Sequence, residues 1–262
     1  MSNAGAPTIS LVIPAYNEAA RLPQSLRKLT EFSQRFTVPV EVLVVIEKST
    51  DGTVELAREA VAKQTNFRII SNDVQRGKGY AVRTGMLRAA GEFLFYMDAD
   101  LSIPLDEVLF FMDYFTTHPS VDIIIGNREH AQSRVLSQQS PLRQKMGRVF
   151  NNIIQSLALL EIHDTQCGFK AFRKKAAHEL FSRQQLDGFA FDVELLLLAE
   201  RLGFEIVDLP VRLTNSPGSK VHIIRDSLHM LSDVIRVRKL VEKSLKDNPP
   251  ERSNGASQPS LR

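Results

Sequence analysis

Asp98-Ala99-Asp100 closes an apolar run, Phe93-Leu94-Phe95-Tyr96-Met97. Carboxylates are costly to bury unless they are paired or bind a metal. Two of them at i and i+2, directly after an apolar strand, stand where open α/β sheets hold their ligands. Paired hard oxygen donors suit Mg²⁺ or Mn²⁺, and those ions suit a diphosphate. The alternative is a plain strand-to-turn junction with Asp as turn former.

Three other stretches gain meaning beside this pair. Pro14-Ala15-Tyr16-Asn17-Glu18 follows a first apolar strand. Pro14 is expected to stop the ladder there. Tyr16 could stack on a base or ribose and Glu18 could accept hydrogen bonds from it, or Asn17 could simply cap a helix. Glu47-Lys48-Ser49-Thr50-Asp51-Gly52-Thr53 follows a second strand. Glu47 there could accept the imide N–H of uracil or guanine, or be an ordinary turn residue. Arg76-Gly77-Lys78-Gly79 precedes a helix, where backbone N–H groups and Lys78 would favour an anion. It is neither a dinucleotide fingerprint nor a P-loop, since both need further residues that are missing here.

Strands and helices must alternate to bring these stretches together. Strands are expected at 9–13, 40–46, 67–70, 92–97 and 121–126, and helices at 19–36, 53–63, 79–90 and 105–117. The 40–46 run is apolar almost throughout, as in a strand buried on both faces. Such alternation predicts a mostly parallel central sheet flanked by helices. Beyond it the pattern changes. A polar loop leads to an amphipathic helix near 142–160, then a short strand at 168–172, helices at 174–181 and 191–202, and a strand at 205–211. Positions 221–246 show Ile224, Leu228, Leu231, Ile235 and Leu245 at helical spacing. The expected organisation is a flexible 1–7, one α/β domain over 8–220, an amphipathic helix over 221–247 and a disordered tail over 248–262.

The 262 residues allow a sizeable core. One cysteine, Cys167, excludes an intramolecular disulfide framework. No signal-peptide pattern opens the chain, and no run is apolar and long enough to span a bilayer. The net charge of +3 is too small to point to nucleic acid, and none is expected as a partner. Residues 1–120 carry 12 basic and 14 acidic side chains, whereas 121–262 carry 21 and 16. The second half could therefore face an anionic surface or substrate.

In order and spacing, Val12-Ile13-Pro14-Ala15-Tyr16-Asn17-Glu18, Ser49-Thr50-Asp51-Gly52-Thr53, Arg76-Gly77-Lys78-Gly79 and Asp98-Ala99-Asp100 resemble the family 2 glycosyltransferases of the GT-A fold. The likeness covers roughly 8–245. Asp164-Thr165-Gln166-Cys167-Gly168-Phe169-Lys170-Ala171-Phe172, Phe191-Asp192-Val193-Glu194-Leu195-Leu196 and Gly218-Ser219-Lys220-Val221 look like its dolichyl-phosphate β-glucosyltransferase branch. Related polyprenyl-phosphate hexosyltransferases share much of this.

The resemblance implies an inverting, metal-dependent enzyme that moves a hexose from a nucleotide-diphospho-sugar donor to a lipid phosphate. Glucose from UDP-glucose is the leading donor and mannose from GDP-mannose the close alternative. It implies Asp100 as ligand of Mg²⁺ or Mn²⁺, with Asp98 beside the sugar nucleotide and the metal. Pro14, Tyr16 and Glu18 would line the nucleoside pocket. Arg128 and a second arginine, Arg143 or Arg148, would meet phosphate. Lys78 would add charge, and Lys220 would sit in a loop closing over the diphosphate. The family usually has Asp-Asp-Gly before Ser49; this chain has Ile46-Glu47-Lys48. Glu47 keeps the base-reading charge with one more methylene.

A lipid monophosphate has a second pKa near about 6, so its dianion needs positioning more than a base. Arginine forks suit that task. Asp192 or Glu194 as proton acceptor is the rival, and acidic first-turn residues of a helix are the bland reading of both. The expected setting is cytoplasmic, at the cytoplasmic face of a membrane without a transmembrane segment. The helices near 142–160 and 221–246 would make peripheral contact, the latter through Arg225, Arg236, Arg238, Lys239, Lys243 and Lys246. Transfer to a soluble or glycan acceptor, and a non-catalytic sugar-nucleotide binder, are the competing functions.

Overall fold

The computed structural model describes residues 8–135, 162, 164–214 and 223–249; at 135 and 223–232 only the backbone is described. The N-terminal stretch, the expected helix near 142–160 with Arg143 and Arg148, Lys220, and the tail from 250 lie outside these residues.

Among the described residues, seven strands form one sheet in the order β3-β2-β1-β4-β7-β5-β8. They are β1 (Ile9–Ala15), β2 (Val40–Ile46), β3 (Phe67–Ser71), β4 (Phe93–Met97), β5 (Ile123–Asn127), β7 (Phe169–Arg173) and β8 (Ile206–Pro210). A small parallel pair, β6 (Arg134–Val135) and β9 (Arg212–Leu213), stands apart. The helices are α1 (Leu22–Arg35), α2 (Thr53–Ala60), α3 (Lys78–Met86), α4 (Asp106–Thr117), α5 (Lys174–Arg183), α6 (Phe191–Arg201) and α7 (Ile223–Asp247).

Side-chain alternation splits the core into two layers. From β1, Ile9, Leu11, Ile13 and Ala15 face one layer with α1, α2 and α4. Val12 faces the other, with α3, α5, α6 and α7. Helix α1 shows the logic: Leu22, Leu26, Leu29 and Phe32 make one buried stripe, and Pro23 occupies the first turn, where its missing N–H costs nothing.

The mostly parallel sheet expected from the alternation is present. Two details differ. First, β1 does not stop at Pro14; it pairs with β2 through Ala15↔Ile46, but with β4 only as far as Val12↔Tyr96. The Ala15 carbonyl accepts from the Glu47 N–H at 2.9 Å, so the Pro14 nitrogen faces the β4 side, where pairing has already ended. The proline is tolerated because no ladder bond is due there. Second, β7 lies antiparallel in the sheet centre, between β4 and β5. Expected helix ends also recede: α3 stops at Met86, and α2 at Ala60.

The strand order places a topological switch between β1 and β4. From β1 the chain winds outward to β2 and β3, then returns to the other side of β1 with β4. Crevices at such points, beyond the strands' carboxyl ends, are where open α/β sheets bind ligands.

Candidate functional site

At the β4 end the chain turns sharply. The Asp98 carbonyl accepts from the Leu101 N–H at 3.0 Å, and Asp100 Oδ1 accepts from the Ser102 N–H at 2.9 Å. Leu101 holds φ 48°, an uncommon value for leucine. Burial of its side chain sustains that conformation. Strain of this kind gathers at functional sites. The Asp98 side chain remains 43% exposed and pairs with the Lys78 ammonium at 2.6 Å. Burial works against that ammonium, but the charges of Asp98 and Asp192 outweigh it and hold Lys78 above its ordinary pKa. The β4 carboxylate and the first residue of α3 therefore meet across the switch point, as the sequence reading required.

Gly168 forms the floor under Asp98. A Cβ there would lie 2.1 Å from Asp98 Oδ2, and the Gly168 carbonyl accepts from the Asp98 N–H at 3.2 Å. Only glycine lets β7 start this close to the carboxylate.

Arg128, after β5, is clamped by Asp164. Its Nε and Nη2 donate to the two carboxylate oxygens at 2.8 Å each, and its backbone N–H donates at 2.9 Å. Burial opposes the guanidinium charge, but Asp164 more than compensates, so the Arg128 pKa is raised. Burial likewise opposes the Asp164 charge, and the bonds and charge from Arg128 bring its pKa below the usual value. Arg128 and Asp98 line one small cavity of about 30 Å³, together with Ser102, Gly168 and Leu213. Thr214 is tied to the Ser102 carbonyl by its N–H at 2.7 Å and its hydroxyl at 3.0 Å. The described chain thus reaches Thr214 at the rim of this cavity.

The nucleoside-side candidates occupy the loops after β1 and β2. Tyr16 is 38% exposed. Asn17 holds φ 52° while its N–H donates to Ser49 Oγ at 3.0 Å and its Oδ1 accepts from the Thr50 N–H at 2.9 Å. Glu18 is paired bidentately with Arg21, at 2.6 and 2.8 Å. Pro14 is buried in β1. Glu47, 2% exposed, is fully engaged by the next loop. It accepts from Asn72 Nδ2 at 2.7 Å, the Arg76 N–H at 2.5 Å and the Gly77 N–H at 3.0 Å.

The glycines of Arg76-Gly77-Lys78-Gly79 also have a packing reason. Added Cβ atoms would lie 2.6 Å from the Asp187 carbonyl oxygen at Gly77, and 2.7 Å from that of Leu186 at Gly79. Asp187 salt-bridges Arg76 at 2.6 Å and Arg83 at 3.0 Å. Nothing in the sequence marked Asp187 beyond a turn-like Asp-Gly. Asp164 at least opened a stretch singled out for resemblance.

The acidic pair of α6 lies inside the protein. Asp192, 3% exposed, accepts from Lys170 Nζ at 2.6 Å and from the Tyr96 hydroxyl. Burial and Asp192 push the Tyr96 phenol well above its ordinary pKa, which keeps it a donor. Glu194 accepts the N–H groups of Gln185 and Leu186 at 2.9 and 2.8 Å. On α7, Val234, Val237 and Val241 pack into the core, while Ile235 is 61% exposed beside Arg236, Arg238 and Lys239. No helix among the described residues is long and apolar enough to cross a membrane.

Comparison with known proteins follows this geometry. Residues 10–181 match the family model described as glycosyl transferase family 2. The chain is 35% identical over 246 residues to the dolichyl-phosphate beta-glucosyltransferase of Drosophila melanogaster, covering 87% of this chain and 74% of that protein. With the protein of the same description from Dictyostelium discoideum, identity is 32% over 240 residues, covering 88% and 73%. Among solved structures, glucosyl-3-phosphoglycerate synthase from Mycobacterium tuberculosis, in complex with Mn²⁺, UDP and phosphoglyceric acid, is similar with a TM-score of 0.63. Identity there is 18%, covering 96% of this chain and 82% of that one. Mannosyl-3-phosphoglycerate synthase from Rubrobacter xylanophilus gives 0.62 at 18% identity, covering 94% and 77%. These likenesses bear out the GT-A architecture.

Proposed function

Because the chain belongs to glycosyl transferase family 2, we propose that it transfers glucose from UDP-glucose to dolichyl phosphate or a related polyprenyl phosphate, with inversion. The observation that carries this reading is Asp98 itself, which pairs with Lys78 beside the β1/β4 switch point and lines one cavity with Arg128. The curated relatives named for this reaction support the choice of sugar and acceptor.

A divalent cation fits the donor set. Among the described residues no cluster of three or more His, Cys, Asp or Glu could enclose an ion. Nucleotide-bound Mg²⁺ or Mn²⁺, however, needs only one or two carboxylates, with phosphate oxygens and water completing the shell. The Asp98 carboxylate already accepts a positive partner, Lys78. Asp98 and Asp100 would hold the ion, whose chemistry would be to neutralise charge building on the departing diphosphate.

In the proposed mechanism the protein's own groups place the reactants. Lys78 sets a buttressed positive charge beside the donor's phosphates. Arg128, rigid in its Asp164 clamp, presents its guanidinium to the acceptor phosphate. A phosphate oxygen of the acceptor attacks the anomeric carbon in line, the bond from that carbon to the diphosphate oxygen breaks, and UDP departs with the electron pair. Tyr16 and Glu18 would flank the nucleoside, Arg143 or Arg148 would meet phosphate, and Lys220 would lie in a loop that closes over the diphosphate. Asp192 and Glu194 are committed to internal partners, which favours a reaction without a protein base.

The proposed setting is the cytoplasmic face of a membrane. The outward face of α7, with Ile235, Lys239, Lys243 and Lys246, suits peripheral contact with an anionic surface. The test is transfer of labelled glucose from UDP-glucose to a short polyprenyl phosphate, followed by solvent extraction and mass spectrometry. Label should enter the lipid fraction, and EDTA should stop it. Label entering only from GDP-mannose would change the donor, and UDP binding without release would make the protein a binder.

A further inference from the structure

Lys170 is a charged residue in the middle of the sheet. It stands opposite Tyr96 on β4 and Ile125 on β5, and its side chain is 1% exposed. A buried ion pair is weak evidence for stability, because a well-packed apolar replacement is often as good. Its contacts give a different reason for its presence. The Lys170 ammonium donates to Asp192 Oδ1 at 2.6 Å and to the Cys167 carbonyl at 2.7 Å. That carbonyl belongs to the peptide joining Cys167 to Gly168. On the far side of the same peptide, the Gly168 Cα lies against the Asp98 carboxylate, leaving no room for a Cβ. Tyr96 holds the same Asp192 oxygen from β4, the strand that leads into Asp98.

We propose that Lys170 and Asp192 are positioning residues for the cation site: their buried pair fixes the Cys167–Gly168 peptide on which the Asp98 carboxylate rests. The inference builds on the donor-site reading above. Asp98 is held from two directions, by Lys78 in the cleft and by this peptide from below. Loss of the lower support lets the carboxylate shift while the fold survives. Partners that orient a ligating group typically change metal affinity by about 10–100-fold.

The experiment compares the wild-type protein with Lys170→Met/Asp192→Asn, which removes both charges and keeps volume and the Tyr96 acceptor. Thermal unfolding and calorimetric titration with UDP, in MnCl₂ and in EDTA, are measured on each. The double variant should unfold close to the wild-type temperature, bind UDP in EDTA unchanged, and bind UDP with Mn²⁺ about 10-fold more weakly. Unaltered Mn²⁺-dependent affinity in a folded double variant overturns the positioning role, and so does an equal loss in EDTA. If the double variant does not fold, Asp192→Asn alone decides. Weaker Mn²⁺–UDP binding supports positioning, whereas a lower kcat at unchanged affinity makes Asp192 a proton acceptor and overturns it. A wild-type protein that binds no UDP with Mn²⁺ sinks the donor-site reading itself, and the positioning role with it.

Discussion

Replacing Glu47 by Gln separates two roles that the sequence left together, reading the base and building the loop. The carboxylate is buried and receives three donors: Asn72 Nδ2 and the N–H groups of Arg76 and Gly77. Hydrogen bonds to a charged group contribute about 1.5–3 kcal/mol each, against about 1 for neutral ones. Gln keeps one acceptor oxygen and turns an N–H₂ toward one of the donors. The loss of charge from the remaining bonds, plus one donor facing a donor, amounts to about 2–3 kcal/mol. For a domain of this size about 1 kcal/mol moves Tm by about 2–4 °C, so the Gln variant should melt roughly 4–12 °C lower. Amide exchange at Arg76 and Gly77 should accelerate, and KM for the donor should rise because Lys78 follows directly. Scanning calorimetry and hydrogen exchange read both effects. A Gln variant with wild-type Tm and wild-type exchange at these amides, yet altered preference between UDP and GDP, refutes the loop role and restores the base-reading one.

Further expectations follow from the same contacts. Lys78→Met removes a pair whose carboxylate is 43% exposed, so stability should change by less than about 1 kcal/mol. Turnover should nonetheless fall about 10²–10³-fold, as on loss of a group that stabilises developing charge; activity within a few-fold of wild type contradicts the assigned role. Gly168→Ala drives a methyl into the Asp98 carboxylate and should weaken Mn²⁺-dependent UDP binding more than metal-free binding, read by titration. Asp164→Asn tests the Arg128 clamp through pH. The folded pKa of Asp164 lies below its ordinary 3.8. Its contribution is therefore present above that value and lost as pH falls through the lower folded one. With Arg128 39% exposed, a gap of about 1–3 kcal/mol is expected near neutrality, discounted for solvent. In urea melts the gap between wild type and variant should begin to narrow as pH falls below the ordinary 3.8 and keep shrinking toward the lower folded pKa; a gap that does not narrow over that range attributes the loss to something other than the Asp164 charge.

Much of the first half was legible because local and global signals agree there. The runs at β1, β2 and β4 are apolar but for Ser10 and Glu41, and their ends carry Tyr16, Glu47 and Asp98. Parallel pairing alone then brings those ends to one edge. The second half hid its arrangement for physical reasons. β7 is short and contains Lys170, so its pattern does not announce a strand at the centre of a sheet, still less a reversed one. β6 and β9 are two residues each and owe their pairing to tertiary contacts, such as the Ser133 hydroxyl bridging Asn127 and Val211. Pro14 misled because a proline ends a ladder only where a bond is due, and that depends on which neighbour has already diverged. Asp187 was invisible because its partners, Arg76 and Arg83, are more than a hundred residues away.

Those distant partners also decide how the glycine-rich loop should be understood. A Gly-x-Gly before a helix invites the idea that glycine makes room for phosphate. Here both glycines make room for the 186–188 backbone, while Glu47 holds two loop amides and Asp187 holds two arginines. The loop is therefore fixed by protein groups before any donor arrives, and Lys78 is delivered to Asp98 by that scaffold. A preformed cation beside a preformed carboxylate needs little reorganisation when charge develops between them, and reorganisation avoided is where electrostatic catalysis gains most. The consequence reaches the second half of the chain. Residues of 164–192 reach the cleft through Gly168, the Asp164 clamp on Arg128 and the 186–188 backbone under the Lys78 loop, and so set the geometry of both Asp98 and Lys78. Changes there should alter affinity for the metal-bound donor before they alter the fold.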